Sequence, residues 1–366
     1  MSDSAIPPIV QRMAEYLNGP EDTMQEHLLG NGPTAALERR LRDYFGVRYA
    51  LALANATSAL FAVQLAFGLQ GTEIVTGPFA YGASFAGALH LRNRLRFADV
   101  DAGLNIEAEA VRATVTPRTR AILSLDFNGT PANTTALRKV ADDCNLLLLV
   151  DAAQSAGAMI GNAPATKGAD ATVISFTFGK TIAAGEGGAI LTDNRELYER
   201  LIALTQHPLR QKRDLSLKGF DEFNFNFRLH PLAAIWADAV FNQSIESLRQ
   251  WQQEWRQVTN HLASCGLIVS SEHFFNSLPS RFRPTIISAD GTNIYDLNEA
   301  LHSIAPQLCL QPLALIPVYA NRFQQRKAGG LIQKSHCPVA EKYSRSAFTF
   351  RLILDKQPWT AFKDLR

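Results

Sequence analysis

Residues 171–193 read ATVISFTFGKTIAAGEGGAILTD. An apolar, β-branched strand leads into a turn carrying a single lysine, Lys180, and a glycine-rich stretch then returns the chain into a second apolar strand. Apolar surroundings disfavour the ammonium form, lower the pKa and leave a neutral amine able to attack an aldehyde or ketone. Taken alone, such a lysine is explained more simply as a stem lying along apolar surface with its head in water. Its neighbours have to decide.

Working outward, LLLLVDAAQ at 146–154 is the continuous apolar run of a strand buried on both faces, with Asp151 at its carboxyl end. In a parallel sheet that edge collects ligands, and ATVISF delivers Ser175 and Lys180 to the same region. Helical and strand-like stretches alternate from about Thr34, the pattern of an α/β domain. PTAALERRLRDYFG predicts a helix with proline at its start and Gly46 at its close. YALALA ends near Ala54 and is followed by a polar turn and a helix with Ala59, Leu60, Val63 and Phe67 on one face, the arrangement of a phosphate cradle. EIVT, RLRF, RAILSL and GAILTD add strands, and helices are expected after Pro131 and after Asp193. The segment from His207 to Pro231 reads as a long polar and aromatic connection, unusual enough to suggest function or assembly. Past about Phe241 the texture changes. The expected division is an N-terminal segment, 1–29, packing on a large ligand-binding domain, 30–240, with a smaller α+β domain over 241–366.

Composition narrows the classes. The 366 residues are 46% hydrophobic and 19% charged, with a formal charge of +2, which excludes a disordered chain and makes nucleic acid an unsuitable partner. The start shows no secretory pattern and no run is long enough for a membrane span, so a cytoplasmic location is expected. Cys144, Cys265, Cys309 and Cys337 lack CxxC spacing, so neither a metal site nor a disulfide scaffold is expected.

Asp151, Gln154, Ser175 and Lys180 make chemical sense together if the ligand is pyridoxal 5'-phosphate. The Asp151 carboxylate would pair with a protonated pyridine nitrogen and keep the ring an electron sink. Gln154 could donate to the ring hydroxyl, and small Ala153 would let the flat ring approach the backbone. For the phosphate there are two suppliers, the helix start at Ala56, Thr57 and Ser58 and the hydroxyl of Ser175, although Thr57 and Ser58 also read as helix caps. Tyr81 could stack on the outer face of the ring, with Phe79 as the competing aromatic.

Eight segments together resemble a known family: LLGNGPTAALE, FGVRYALALANATSAL, TGPFAYGAS, FADVD, TPRTRAI, VDAAQSAGA, SFTFGKTIAAGEGGAILTD and NFNFRLHPLAAI. They are similar to the DegT-type nucleotide-sugar aminotransferases, vitamin B6 enzymes of fold type I, over roughly the first two-thirds of the chain. The resemblance implies a mostly parallel seven-stranded sheet flanked by helices, Lys180 as the Schiff-base lysine, Asp151 at the pyridine nitrogen, Gln154 at the ring hydroxyl, and Thr57, Ser58 and Ser175 at the phosphate. It also implies a homodimer in which Asn226, of an NxR motif completed by Arg228, reaches the neighbouring subunit's phosphate. A ping-pong transamination follows, with glutamate as the common donor and a keto sugar as acceptor. Some relatives are dehydratases with histidine in place of the lysine, so Lys180 points to transamination.

The chain departs from the family pattern in its last third. RFRPTIIS and LQPLALIPVYANR lack the usual histidines, which leaves a cyclitol or another ketone open as acceptor, and Asp126 stands where relatives often carry histidine. Arg210, Lys212, Arg213 and Lys218 form a basic cluster that either meets a nucleotide diphosphate or is simply a solvated loop; Arg281 and Arg283 have the same status. His230 reads as a helix cap before Pro231. A non-catalytic cofactor-binding sensor is the reading from a different class.

Overall fold

The structure is a computed structural model that describes residues 8–215, 223–269, 274, 276–333 and 335–352. Lys218 and the ends of the chain, within the expected 1–29 and 241–366 units, lie partly outside the described residues. Strands β1 (Tyr49–Leu53), β2 (Glu73–Thr76), β3 (Arg94–Phe97), β4 (Thr119–Leu125) and β5 (Leu147–Asp151) are followed by a short pair, β6 (Met159–Ile160) and β7 (Ala163–Pro164), then by β8 (Ala171–Ser175) and β9 (Gly188–Thr192). The main sheet has seven strands in the order β1-β9-β8-β5-β4-β2-β3. β8, β5, β4, β2 and β3 run parallel, while β9 is antiparallel to both β8 and β1. The expected α/β, mostly parallel architecture is therefore the one observed.

The period of two along each strand sends alternate side chains into different cores. On one face Leu51, Leu53, Leu123, Leu149, Val173 and Ile190 pack with helix Ala56–Ala66 and helix Arg195–Thr205. On the other, Ala50, Ala52, Val150, Ile174 and Leu191 meet helix Pro33–Phe45, while Val75, Ile122 and Leu148 meet helix Thr134–Asp143. Burial on both sides is why these strands read as unbroken apolar runs. Helix Pro33–Phe45 begins with its proline and stops at Gly46, whose φ of 63° is left-handed.

Helix Pro231–Ser264 is 34 residues long and joins the two parts of the chain. Ala234, Ala237, Phe241 and Ile245 belong to the large core; Trp255, Val258 and Leu262 belong to a second core with Ile286, Leu297, Leu301, Leu310 and Phe348. The division expected at 240/241 falls inside this helix. The second core is backed by a three-stranded antiparallel sheet in which β13 (Ala347–Leu352) lies between β11 (Thr285–Ile287) and β12 (Leu308–Pro312), while β10 (Ser277–Leu278) extends the small β6–β7 sheet. Helix Pro8–Leu17 is tied to the long helix by Arg12, whose guanidinium lies 2.9 Å from Asp238.

Candidate active site

A cavity of about 930 Å³ opens at the carboxyl edge of the parallel strands. Asp151 arrives as the last residue of β5 and Ser175 as the last of β8; Asn55, Ala56 and Thr57 follow β1 as the start of helix Ala56–Ala66. Tyr81 and Ser84 come from the loop and helix after β2, and Asp126, Phe127 and Asn128 from the turn after β4. Lys180 stands in the turn between β8 and β9, its amide bonded to the carbonyl of Thr177 at 3.1 Å.

Burial lowers the pKa of Lys180 to about 8, assisted by the positive charge of Arg283 and opposed by the carboxylate of Asp151. The amine lies 3.7 Å from the centroid of the Phe282 ring, so an aromatic face rather than a carboxylate holds it. Asp151 is buried and accepts from the amide of Ala153 at 3.0 Å. Its pKa is raised by burial, against the pull of Ser84, the Ala153 amide and Lys180.

At the opposite end Asn55 caps helix Ala56–Ala66 by accepting from the Ser58 amide at 2.8 Å. The Ser58 hydroxyl turns back to the Asn55 carbonyl at 3.0 Å, and Ser58 does not line the cavity. Of the expected phosphate pair, the structure brings only Thr57 to the wall. Ser175 is buried; its hydroxyl lies 3.1 Å from that of Thr177, which in turn meets Glu186 at 3.2 Å. Gly188, the first residue of β9, packs against this helix start: a Cβ there would sit 2.7 Å from the Ala56 nitrogen and 2.9 Å from the Asn55 carbonyl carbon.

Gln154 lines the cavity and accepts through Oε1 from the Asn128 amide at 2.7 Å, which turns its NH2 end toward other partners. Tyr81 is on the wall and 72% exposed, whereas Phe79 is buried against Phe127 and does not line the cavity. Asn226 is exposed and lies outside its own chain's cavity. Asp126 is buried, bonded by the Ala132 amide at 3.0 Å and the Ser155 hydroxyl at 2.5 Å; burial, with Asp151 adding to it, pushes its pKa up to about 7.

The basic cluster is not a uniform loop. Residues Pro208–Leu215 form a helix, and Arg210 is buried in an ion pair with Glu38 at 2.8 Å, so it is a structural cation, whereas Lys212 and Arg213 are exposed. His230 caps helix Pro231–Ser264 as expected, accepting from the Leu232 amide. Residues that the sequence reading missed are Asn55, Thr177 and Glu186 at one end of the cavity and Phe282, Leu313 and Leu315 from the C-terminal part. Asn55 had a legible signal, an asparagine directly before a helix; Phe282 had none.

The donor set fits pyridoxal 5'-phosphate. A buried carboxylate, whose charged form lacks full compensation, suits a pyridinium partner; a depressed lysine suits an aldehyde; a helix start flanked by Thr57, Ser175 and Thr177 suits a phosphate. Among the described residues no group of three or more His, Cys, Asp or Glu could hold a metal ion. No helix among them is long and apolar enough to cross a membrane.

The architecture is that of the fold type I transferases: the aminotransferase from Psychrobacter cryohalolentis superposes with a TM-score of 0.77 at 18% identity, over 95% of this chain and 93% of that one. A family model for the DegT/DnrJ/EryC1/StrS aminotransferases matches residues 12–353, and the chain belongs to that family. Among curated relatives, the UDP-4-amino-4,6-dideoxy-N-acetyl-beta-L-altrosamine transaminase of Campylobacter jejuni is 30% identical over 211 residues, 57% of this chain and 56% of that protein. The 3-amino-5-hydroxybenzoate synthase of Amycolatopsis mediterranei is 30% identical over 243 residues, 66% and 63% of the two chains. The chain spans about half the length of the curated relatives it matches.

Proposed function

We propose that this protein is a pyridoxal-phosphate-dependent aminotransferase that takes an amino group from an amino acid, glutamate in the first instance, and places it on a nucleotide-linked keto sugar by a ping-pong cycle. The observation that carries the reading is Lys180, with its pKa lowered to about 8, beside the buried carboxylate of Asp151 in one cavity at the carboxyl edge of the sheet. Bound there, the cofactor would supply an aldehyde for amine exchange and an electron sink for charge at the donor α-carbon.

The chain's own residues do the rest. Lys180, neutral in a good fraction near pH 8, is the base for the proton of the donor α-carbon and returns a proton in the acceptor half of the cycle. Asp151 would keep a proton on the pyridine nitrogen, Gln154 would orient the ring through its amide NH2, and Tyr81 would cover the outer face. Thr57, Ser175 and the amides at the helix start would hold the phosphate, with Thr177 supporting Ser175 at 3.1 Å. Asn226, exposed and outside its own cavity, suits a homodimer in which it serves the partner's phosphate. Four cysteines, all free, suit a reducing compartment, and we take the cytoplasm as its location.

A second reading, amination of a ketone that carries no nucleotide, draws support from the Amycolatopsis relative and from the apolar wall of Phe282, Leu313, Ala314 and Leu315. The test is spectroscopic. Protein reconstituted with the cofactor should show the lysine-bound absorption band and lose it with glutamate, and Lys180→Ala should lack the band while retaining added cofactor. Profiling of nucleotide-linked keto sugars against free ketones then separates the readings. A band that persists with every amino donor favours a non-catalytic sensor, and full transamination by Lys180→Ala overturns the assignment.

A further inference from the structure

Resting on the aminotransferase reading, we infer that Arg283 is the carboxylate-recognition residue of the amino-acid donor, clamping the α-carboxylate of the donor and of the keto acid it becomes. Among the described residues that line the cavity the cations are Lys180 and Arg283, and the C-terminal part of the chain contributes only Arg283 as a charged group. Lys180 is committed to the chemistry. The Arg283 guanidinium forms no ion pair among the described residues.

The backbone of the turn that carries it is fixed from both parts of the molecule. The Thr285 hydroxyl donates to the Arg283 carbonyl at 3.0 Å and accepts from the Asn128 side chain at 2.9 Å, and the Asn128 amide donates to Gln154 at 2.7 Å. One turn earlier, the Ser280 amide donates to the Gly129 carbonyl at 2.9 Å and the Ser280 hydroxyl donates to the Gln154 carbonyl. The turn that carries Arg283 is thus bonded to the residue expected at the cofactor ring. Arg283 itself adopts a φ of 47°, a left-handed conformation that an arginine rarely takes without such ties.

Phe282 relates the two cations. Lys180 lies 3.7 Å and the Arg283 guanidinium 6.0 Å from the same ring centroid, and the charge of Arg283 is felt at Lys180. The α-carboxylate of an amino acid is one bond from the carbon that loses its proton, so a carboxylate clamp has to share the lysine's cavity, as Arg283 does. The planar fork of a guanidinium matches a carboxylate in a two-bond contact. The carboxylate of an acidic acceptor has the same chemistry, and the test separates the sources.

Arg283→Gln in the cofactor-loaded protein should weaken glutamate in the donor half-reaction by about 10- to 100-fold in apparent Kd, with the limiting rate and the cofactor absorption little changed. Arg283→Lys should recover part of the loss, and the acceptor half-reaction, started from the amine form, should stay close to wild type. Succinate, a dicarboxylate that cannot react, gives an independent arm by calorimetry: its binding should weaken at least tenfold in Arg283→Gln, whether or not transamination occurs. Loss of the acceptor half-reaction alone, or glutamate and succinate binding within twofold of wild type, overturns the proposal. Failure of wild-type protein to turn over any amino acid while succinate still depends on Arg283 would instead count against the aminotransferase reading.

Discussion

Arg210→Ala should destabilise the protein by about 3–5 kcal/mol, because it strands a buried carboxylate. The arginine side chain is 2% exposed and that of Glu38 is 9% exposed; they meet through two contacts, 2.8 Å to Oε2 and 3.1 Å to Oε1. Asp214 at 3.2 Å completes the ion network around Arg210. With the guanidinium gone, Glu38 keeps, among the described residues, only the Ala52 amide, at 3.0 Å, to offset its charge. Replacing both partners should cost far less, provided the acceptor for Ala52 survives: Glu38→Gln with Arg210→Met preserves it and should recover at least half of the loss. Leucine at position 38 would instead orphan the Ala52 amide, at a further ~1–3 kcal/mol. Urea denaturation of the single and double variants measures this directly, with the midpoint moving and the slope retained. Ala52 lies in β1, just before the Asn55 cap, so the single variant should also loosen cofactor affinity. A loss below about 1 kcal/mol for Arg210→Ala, or a double variant no better than the sum of the singles, would refute the buried pair; normal stability with lost nucleotide binding would return Arg210 to the role of a ligand cation.

Other consequences are as direct. Lys180 has a folded pKa of about 8 against its ordinary 10.5, so the folded state binds the proton less well than the unfolded one and the lysine opposes folding below about pH 8. Lys180→Met should therefore raise the melting temperature of cofactor-free protein at pH 7, with the gain shrinking as pH climbs through 8 toward 10.5; a gain that is independent of pH would contradict this. Asn55→Ala removes a helix cap and should cost about 0.5–2 kcal/mol by denaturation while weakening cofactor binding, since the same helix start faces the phosphate end. Gly188→Ala forces a Cβ to within 2.9 Å of three backbone atoms that cannot swing away, and should cost roughly 1–3 kcal/mol and cofactor retention together; a stable variant with normal cofactor affinity would show that β9 and the helix start move apart freely.

How much of this was legible in the sequence depends on the range over which each residue acts. Asp151, Ser175 and Thr57 could be read because each is placed by its own strand end or helix start, which the apolar periods of β1, β5 and β8 locate within a residue or two; Lys180, in the turn between β8 and β9, could be read because it is the single lysine between two apolar strands. Ser58 was read with Thr57, but the local cap geometry turns its hydroxyl inward, a difference of one residue around a helix that periodicity does not resolve. Arg210 was grouped with its charged neighbours because its partner is 172 residues away; proline at the start of Pro208–Leu215 was the available sign of a helix, but nothing local marks a buried arginine. Arg283 is hidden in the same way, since its setting depends on Asn128 and Gln154 reaching across from the large core. The cofactor end of the cavity is built by strand termini, whose positions are a local property, and the substrate end by contacts between distant segments. That asymmetry explains why the strand-end residues of the cavity are legible in the sequence while Phe282 and Leu313–Leu315, which only the assembled fold brings to the same cavity as the lysine, are not.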